Sequence, residues 1–352
     1  MPHFFNERLI VMIIGNKNVN LERQVYLIAE IGSNHNQDKS LAMDMIYMAA
    51  ESGADAVKFQ SIDFNRLYQE RYETHKFREE FRKIELNEDW YLDLSECASK
   101  VSVDFISAPT YIEAIDLLEE CNVSVYKIAS PQVQGNLDVV KKVAQTGKPM
   151  IMSLGYSGYA DINRAICAAQ DNNNNNIALL HCISKYPAKP KEANLRFIQT
   201  LNKMTNLPVG FSDHSLGDHV ATAAVAVGAC IIEKHVTIDR AMSGPDHHFA
   251  MTFSEFNIME KKIRDITESL GDGTRLNLSN EENTHRKNVE RKLFSSRIIK
   301  SGTQITQDDL ILMRHSSDGI SEENQKFIYK CVALNDIAKG VKLSWDQIQL
   351  KN

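Results

Sequence analysis

Residues 207–235 read LPVGFSDHSLGDHVATAAVAVGACIIEKH. Two apolar runs, Leu207–Ser212 and Ala229–Lys234, flank a segment in which Val220, Ala223, Ala224 and Val227 recur at helical spacing. Gly228 stands where a helix C-terminal cap belongs. The two runs are near-continuous rather than alternating, as in strands buried on both faces. Strand, helix and strand of this kind make a parallel βαβ unit.

The same unit recurs upstream. Further runs are Val25–Glu30, Ala56–Gln60, Val103–Ser107, Val125–Ala129, Pro149–Ser153 and Ile177–Cys182, which brings the total to eight. Helix-like segments lie between them: Leu41, Met45, Met48 and Ala49 precede Gly53, and Ile112, Ile115 and Leu118 follow the third run. Eight such units over roughly 250 residues predict an α/β protein with a closed (β/α)8 TIM barrel. An open doubly wound sheet is the rival, but no GxGxxG follows the first run. Residues 271–290 are polar and break the periodicity. We therefore expect a barrel domain over 1–275, a linker over 276–290 and a small, mostly β domain over 291–352. As a flexible coil, a linker of about 20 residues would reach roughly 25 Å. In the tail, Leu293–Ile299, Leu310–Arg314 and Val341–Leu343 look β-like. A tail of about 60 residues is small for an independent core and is expected to lean on something else.

Composition narrows the function classes. The 352 residues carry 40 Lys and Arg against 46 Asp and Glu, a formal charge of −6. Such a chain has no global attraction to nucleic acid or to an anionic membrane, so any anion site must be local. The six cysteines form no CxxC pair, which fits the reduced thiols of a cytoplasmic protein better than a zinc or disulfide framework. The N-terminal apolar run, Leu9–Ile14, is too short for a signal segment or a membrane span.

In a barrel, chemistry gathers at the C-terminal strand ends. Here those ends carry Glu30, Lys58 with Gln60, Ser107, Lys127 with Ser130, Ser153, Ser184, Ser212-Asp213-His214 and Glu233-Lys234-His235. A buried ammonium without a partner is costly, and an anionic ligand would partner Lys58 and Lys127. His214 and His235 end neighbouring strands and can share one divalent metal, with Asp213 and Glu233 beside them. A lone histidine is more often a hydrogen-bonded core residue, and His181, His219, His247 and His248 are weaker candidates. The serines can cap helices, their common role, or bind phosphate. No GxSxG supports a nucleophilic serine.

These segments together resemble the sialic acid (nonulosonic acid) synthase family. The matching stretches, in family order, are Ala29-Glu-Ile-Gly-Ser-Asn-His35, Gly53-Ala-Asp-Ala-Val-Lys-Phe-Gln60, Tyr126-Lys-Ile-Ala-Ser130 and Gly147-Lys-Pro-Met-Ile-Met-Ser153. They continue as Leu180-His-Cys-Ile-Ser-Lys-Tyr-Pro187, Gly210-Phe-Ser-Asp-His-Ser215, Ile232-Glu-Lys-His-Val-Thr237 and Gly244-Pro-Asp-His247. The tail resembles the family's antifreeze-like (SAF) domain.

The resemblance implies a phosphoenolpyruvate-dependent, C–C bond-forming transferase. It would condense phosphoenolpyruvate with an N-acetylmannosamine-like amino sugar to a nine-carbon 2-keto acid and phosphate. By that analogy Lys58, Lys127, Ser130, Ser153, Ser184 and Ser212 hold phosphoenolpyruvate. Gln60, Tyr186, Asp246 and a partner chain's Arg314 contact the sugar, in a domain-swapped homodimer. His214 and His235 bind a divalent metal, Mn2+ with Mg2+ or Co2+ as alternatives. Glu30 and Glu233 handle water and protons, in an order the sequence leaves open. Gln37 stands where relatives have Gly, Arg314-His-Ser-Ser-Asp-Gly-Ile320 differs from the usual Arg-Pro-Gly-x-Gly-Ile, and Arg66–Asn87 is unusually charged. Neuraminate, legionaminate and pseudaminate types therefore stay open, and Gly-Pro-Asp-His favours the first two. A different phosphoenolpyruvate-dependent keto-acid synthase and a non-catalytic carbohydrate-binding protein are the alternatives.

Overall fold

The computed structural model describes residues 12–15, 17–19, 24–316 and 318–351. Residues 9–11 of the N-terminal apolar run lie outside them. The rest of that run forms β1 (Met12–Ile14), which pairs antiparallel with β2 (Lys17–Val19).

All eight expected runs are strands, shifted by no more than a few residues. They are β3 (Tyr26–Glu30), β4 (Ala56–Ser61), β5 (Asp104–Pro109), β6 (Tyr126–Ile128), β7 (Met150–Ser153), β8 (Ile177–Cys182), β9 (Val209–Asp213) and β10 (Ile231–Thr237). The sheet order is β5-β4-β3-β10-β9-β8-β7-β6, parallel throughout. The ends β5 and β6 lie side by side without a ladder between them, so the sheet closes into a (β/α)8 barrel. A short β11 (Met251–Thr252) extends β10 outward.

Strand side chains alternate between lumen and helix layer. Tyr26, Ile28, Ala56, Ile106, Val125, Ile151, Ala178, Leu180 and Ile231 fill the lower lumen together with Met12, Ile14 and Val19, so the β1–β2 hairpin plugs the barrel floor. The intervening residues, such as Leu27, Val57, Leu179, Phe211 and Ile232, belong to the larger apolar layer under the helices. Gly210 shows how tight the lumen is. A Cβ there would stand 2.4 Å from the Ile231 carbonyl oxygen and 2.6 Å from Leu180 Cδ2.

The barrel unit runs to Asp272, and residues 273–352 form a second compact unit. The stretch read as a coil linker carries a helix, Asn280–Val289, so the flexible-coil reach does not apply to it. Ser279 and Glu282 close a capping box at its start, and it buries no residue. A polar stretch can thus be helical through capping, without an apolar face to betray it. The tail pairs β12 (Arg291–Ser295) with β13 (Leu310–Arg314) and β14 (Cys331–Ala333) with β15 (Ile348–Leu350), both antiparallel. Val341–Leu343 is not a strand, although Lys342 bridges to Phe294. Contrary to expectation the tail has a core of its own, including Leu293, Ile305, Ile320, Ile328, Ile337 and Leu343.

Among the described residues no helix is long and apolar enough to cross a membrane. The charged stretch 66–87 is anchored by four aromatic rings, Phe64, Tyr68, Phe77 and Phe81, with centroids 5.1–6.3 Å apart.

Candidate active site at the barrel mouth

Because lumen-facing residues recur every second position, lumen-facing side chains near the C-terminal ends of seven of the eight strands, or in the loops after them, point into one cavity. Its volume is about 420 Å³, within the range of small-molecule sites. Glu30, Lys58, Gln60, Lys127, Ser130, Ser153, Ser184, Tyr186, Ser212, His214, Glu233 and His235 all line it. The sequence places these twelve residues on β3, β4, β6–β10 or the loops after them; only closure of the barrel makes them neighbours. Asp246 stands just behind this wall, hydrogen-bonded by Ser33 Oγ at 2.9 Å and 3.9 Å from His235 Nδ1. Arg314 belongs to the other unit, where it is exposed at the end of β13 rather than in a loop.

Lys58 and Lys127 are buried, 3% and 1% exposed, but neither is unpartnered. Lys58 Nζ is 2.7 Å from Glu30 Oε2 and 3.8 Å from Glu233 Oε2. Lys127 Nζ is 3.6 Å from Glu233 Oε2 and donates to Ser153 Oγ at 2.6 Å. The sequence reading partnered these lysines with an anionic ligand; in the structure two carboxylates of the chain already stand beside them. The carboxylates differ. Burial pushes Glu30 up to about 7, with Lys58 opposing and Glu233 adding to the rise. Burial also acts on Glu233, but Lys127 and Lys58 outweigh it and hold that carboxyl well below the usual range. Gln60 Nε2 donates to Glu30 Oε1 at 2.7 Å and Ser212 Oγ to Glu233 Oε1 at 2.9 Å. Glu30 Oε2 and Glu233 Oε2 accept no aligned hydrogen bond.

The serines do not cap helices. Ser130 Oγ accepts the Gly155 N–H at 2.9 Å, and Ser153 is taken by Lys127. Gly155 is a residue that sequence reasoning missed. A Cβ there would stand 2.0 Å from Ser184 Oγ and 2.9 Å from Ser130 Oγ, so only glycine lets the two hydroxyls converge. Gln132, also missed, lines the cavity with a buried and unpaired Oε1.

His214 Nδ1 lies 2.9 Å from the Ile183 carbonyl oxygen. A carbonyl only accepts, so Nδ1 carries the proton and Nε2 keeps its lone pair. His235 Nδ1 is buried without a hydrogen-bond partner, and the two rings are 5.3 Å apart. Burial lowers the His235 pKa and keeps the ring neutral. Two imidazoles that each keep a ring nitrogen without a protein hydrogen bond fit a divalent cation. Among the described residues no group of three or more His, Cys, Asp or Glu adds further ligands, so water or substrate would complete the shell. The Tyr186 ring packs tilted against His214 with centroids 4.2 Å apart, and Phe249 lies 5.0 Å from His235, walling this end with rings.

Three strand-end residues face the other way. Asp213 and Lys234 pair with each other on the outer face. Ser107 bonds Ser61, also on the outer face. His181 Nε2 donates to the Ala193 carbonyl oxygen at 2.7 Å on the helix-layer side, and His219 is exposed at a helix start. His247 is buried, bonded to Thr237 Oγ1 at 2.7 Å and to Asn36 at 3.2 Å, and ties its loop to the loop after β3.

Comparison with known proteins shows the family of this chain. Residues 45–275 match the model of the NeuB family. The chain belongs to the NeuB family. An N,N'-diacetyllegionaminic acid synthase of Campylobacter jejuni is 34% identical over 89% of this chain and 97% of its own length. A pseudaminic acid synthase of Helicobacter pylori is 31% identical, covering 92% and 97%. The crystal structure of an N-acetylneuraminic acid (sialic acid) synthetase from Leptospira borgpetersenii, in complex with citrate, superposes with a TM-score of 0.72. It is 33% identical and covers 79% of this chain and 96% of its own.

Proposed function

We propose that the protein is a nonulosonic acid synthase that condenses phosphoenolpyruvate with an N-acetylated amino sugar. The product is a nine-carbon 2-keto acid of the legionaminate or N-acetylneuraminate type, and phosphate. One observation carries the reading: two buried ammoniums and converging serine hydroxyls stand beside two metal-competent imidazoles in a single cavity. The names of the legionaminic, pseudaminic and neuraminic acid synthases among its relatives support it.

Lys58 and Lys127, with Ser130, Ser153, Ser184 and Ser212, hold the phosphate and carboxylate of phosphoenolpyruvate through charge-assisted hydrogen bonds. His214 and His235 hold a divalent cation, Mn2+ by preference, which when bound polarises the sugar aldehyde as a Lewis acid. C3 of the enol bonds to the aldehyde carbon, and the aldehyde oxygen takes up a proton. Water adds at C2, and phosphate leaves with cleavage of its C–O bond. The opposed pKa displacements divide the two carboxyls. Glu30, whose carboxyl burial pushes up to about 7, gives the proton; Glu233, held well below the usual carboxylate range, anchors both ammoniums and orients water. Gln60, Tyr186 and Asp246 contact the sugar. Arg314 of a second copy, carried on an SAF-type tail of a domain-swapped homodimer, completes that subsite.

The test is phosphate release from phosphoenolpyruvate across a panel of N-acetylated hexosamines, with and without Mn2+, with products read by mass spectrometry. Release with no member of the panel, in protein that binds phosphoenolpyruvate, would refute the condensation.

A further inference from the structure

Strand alternation turns Ser212, Glu233 and His235 into the cavity and turns Asp213 and Lys234 away from it. Lys234 lies between Ile232 and Val236, and Asp213 two residues after Phe211, all three members of the apolar layer beneath the helices. A carboxylate 1% exposed and an ammonium 2% exposed are costly in such a layer. They meet at 2.7 Å across a rung of the β9–β10 ladder, since Lys234 is in register with Asp213.

What they grip is the chain just past β9. Asp213 Oδ1 accepts the Ser215 N–H at 2.8 Å, and Lys234 Nζ donates to the Ser215 carbonyl. Both backbone groups of Ser215 are thus satisfied by this pair, where the sheet ladder no longer supplies partners. His214 sits between Asp213 and Ser215, and His235 follows Lys234 directly. His214 is held on two further sides, its carbonyl by the Ala188 N–H at 3.0 Å and its ring by Ile183. A buried ion pair of this sort contributes little net stability, since apolar residues of similar volume often serve as well. What apolar residues cannot do is hold the N–H and carbonyl of Ser215, and with them the peptide that leaves His214.

We propose that the Asp213–Lys234 pair is a positioning clamp. It acts from outside the barrel wall to aim the imidazoles of His214 and His235 at one shared divalent cation. The proposal rests on the metal reading of those histidines given above. Neither residue touches substrate or cation; both act through the backbone.

The experiment measures Mn2+ affinity of the full chain by electron paramagnetic resonance of free Mn2+, alongside circular dichroism and thermal melting. The variants are the apolar pair Asp213→Leu/Lys234→Met and the neutral pair Asp213→Asn/Lys234→Met. The expected result is Mn2+ binding about 10- to 100-fold weaker, the size of effect that mispositioned ligands produce, in a variant that still folds but melts lower because both backbone groups of Ser215 lose their partners. Undiminished affinity in a folded variant, with wild-type protein binding Mn2+, overturns the clamp alone. Failure of both pairs to fold makes the residues a stability element and overturns it as well. A wild-type protein that binds no Mn2+ overturns the metal reading, and the clamp with it.

Discussion

Filling the phosphate end of the cavity with an anion should load a proton onto Glu30. Burial sets this carboxyl at about 7, and the Lys58 ammonium 2.7 Å away is the main force holding it from rising further. An anion that draws on Lys58 weakens that hold. If it takes over about 3 kcal/mol of the attraction, Glu30 moves to about 9, at about 1.4 kcal/mol per tenfold change in proton affinity. At pH 8 the carboxyl is then about one-tenth protonated in the free protein and about nine-tenths in the complex, an uptake of roughly 0.8 proton. Phosphoenolpyruvate adds nothing to this count, because a phosphate monoester with a second pKa near 6 is fully ionised at pH 8. The protonated form of Glu30 favours the anion and is populated below about 7, so affinity should fall as pH rises from about 7 to about 9. The assay is titration calorimetry at pH 8 in buffers of different ionisation enthalpy, whose slope counts protons. Glu30→Gln should bring the slope close to zero. A wild-type slope near zero, or an unchanged slope in the variant, would refute the assignment of Glu30 as the carboxyl that binds the proton.

Other outcomes follow from the same geometry. Lys127→Met removes a charge-assisted contact of about 1.5–3 kcal/mol and should weaken phosphoenolpyruvate binding roughly 10- to 150-fold, read by direct titration with the fold checked by circular dichroism. Chelation of the wild-type protein and His214→Ala should each remove most phosphate release, and Mn2+ should restore only the chelated wild type. Gly210→Ala forces a methyl against Leu180 and the Ile231 carbonyl, and should destabilise the barrel by about 1–3 kcal/mol in denaturant titration. Mixing Arg314→Ala with His214→Ala protein under subunit exchange should restore part of the activity if the arginine acts across chains; no recovery would place it within its own chain.

The residues that make the barrel legible are those whose neighbours are local. Val25–Glu30 or Ile177–Cys182 can be read as strands because their apolar runs and the helical spacing between them are short-range patterns. The tail shows the limit of that approach. Its core gathers Leu293, Ile305, Ile320, Ile328 and Leu343 from short, irregular segments, and no local period marks them. The helix at Asn280–Val289 went unread for a related reason: it buries nothing, so only its capping box announces it.

The site divides along the same line. The sequence alone determined which residue types gather at the strand ends: lysines, glutamates, serines and histidines, in or just after the apolar runs. Side-chain direction required the register. A one-residue step along β9 or β10 separates His214 and His235, at the cavity, from Asp213 and Lys234, in the outer layer. Partner identity required closure, since Glu30 and Glu233 approach Lys58 only when β3, β4 and β10 lie side by side. The tertiary structure therefore decided the charge states. Two chemically identical carboxyls are pushed apart by unequal shares of the same burial and the same two ammoniums, and that inequality is a property of distances between strands that no stretch of sequence contains.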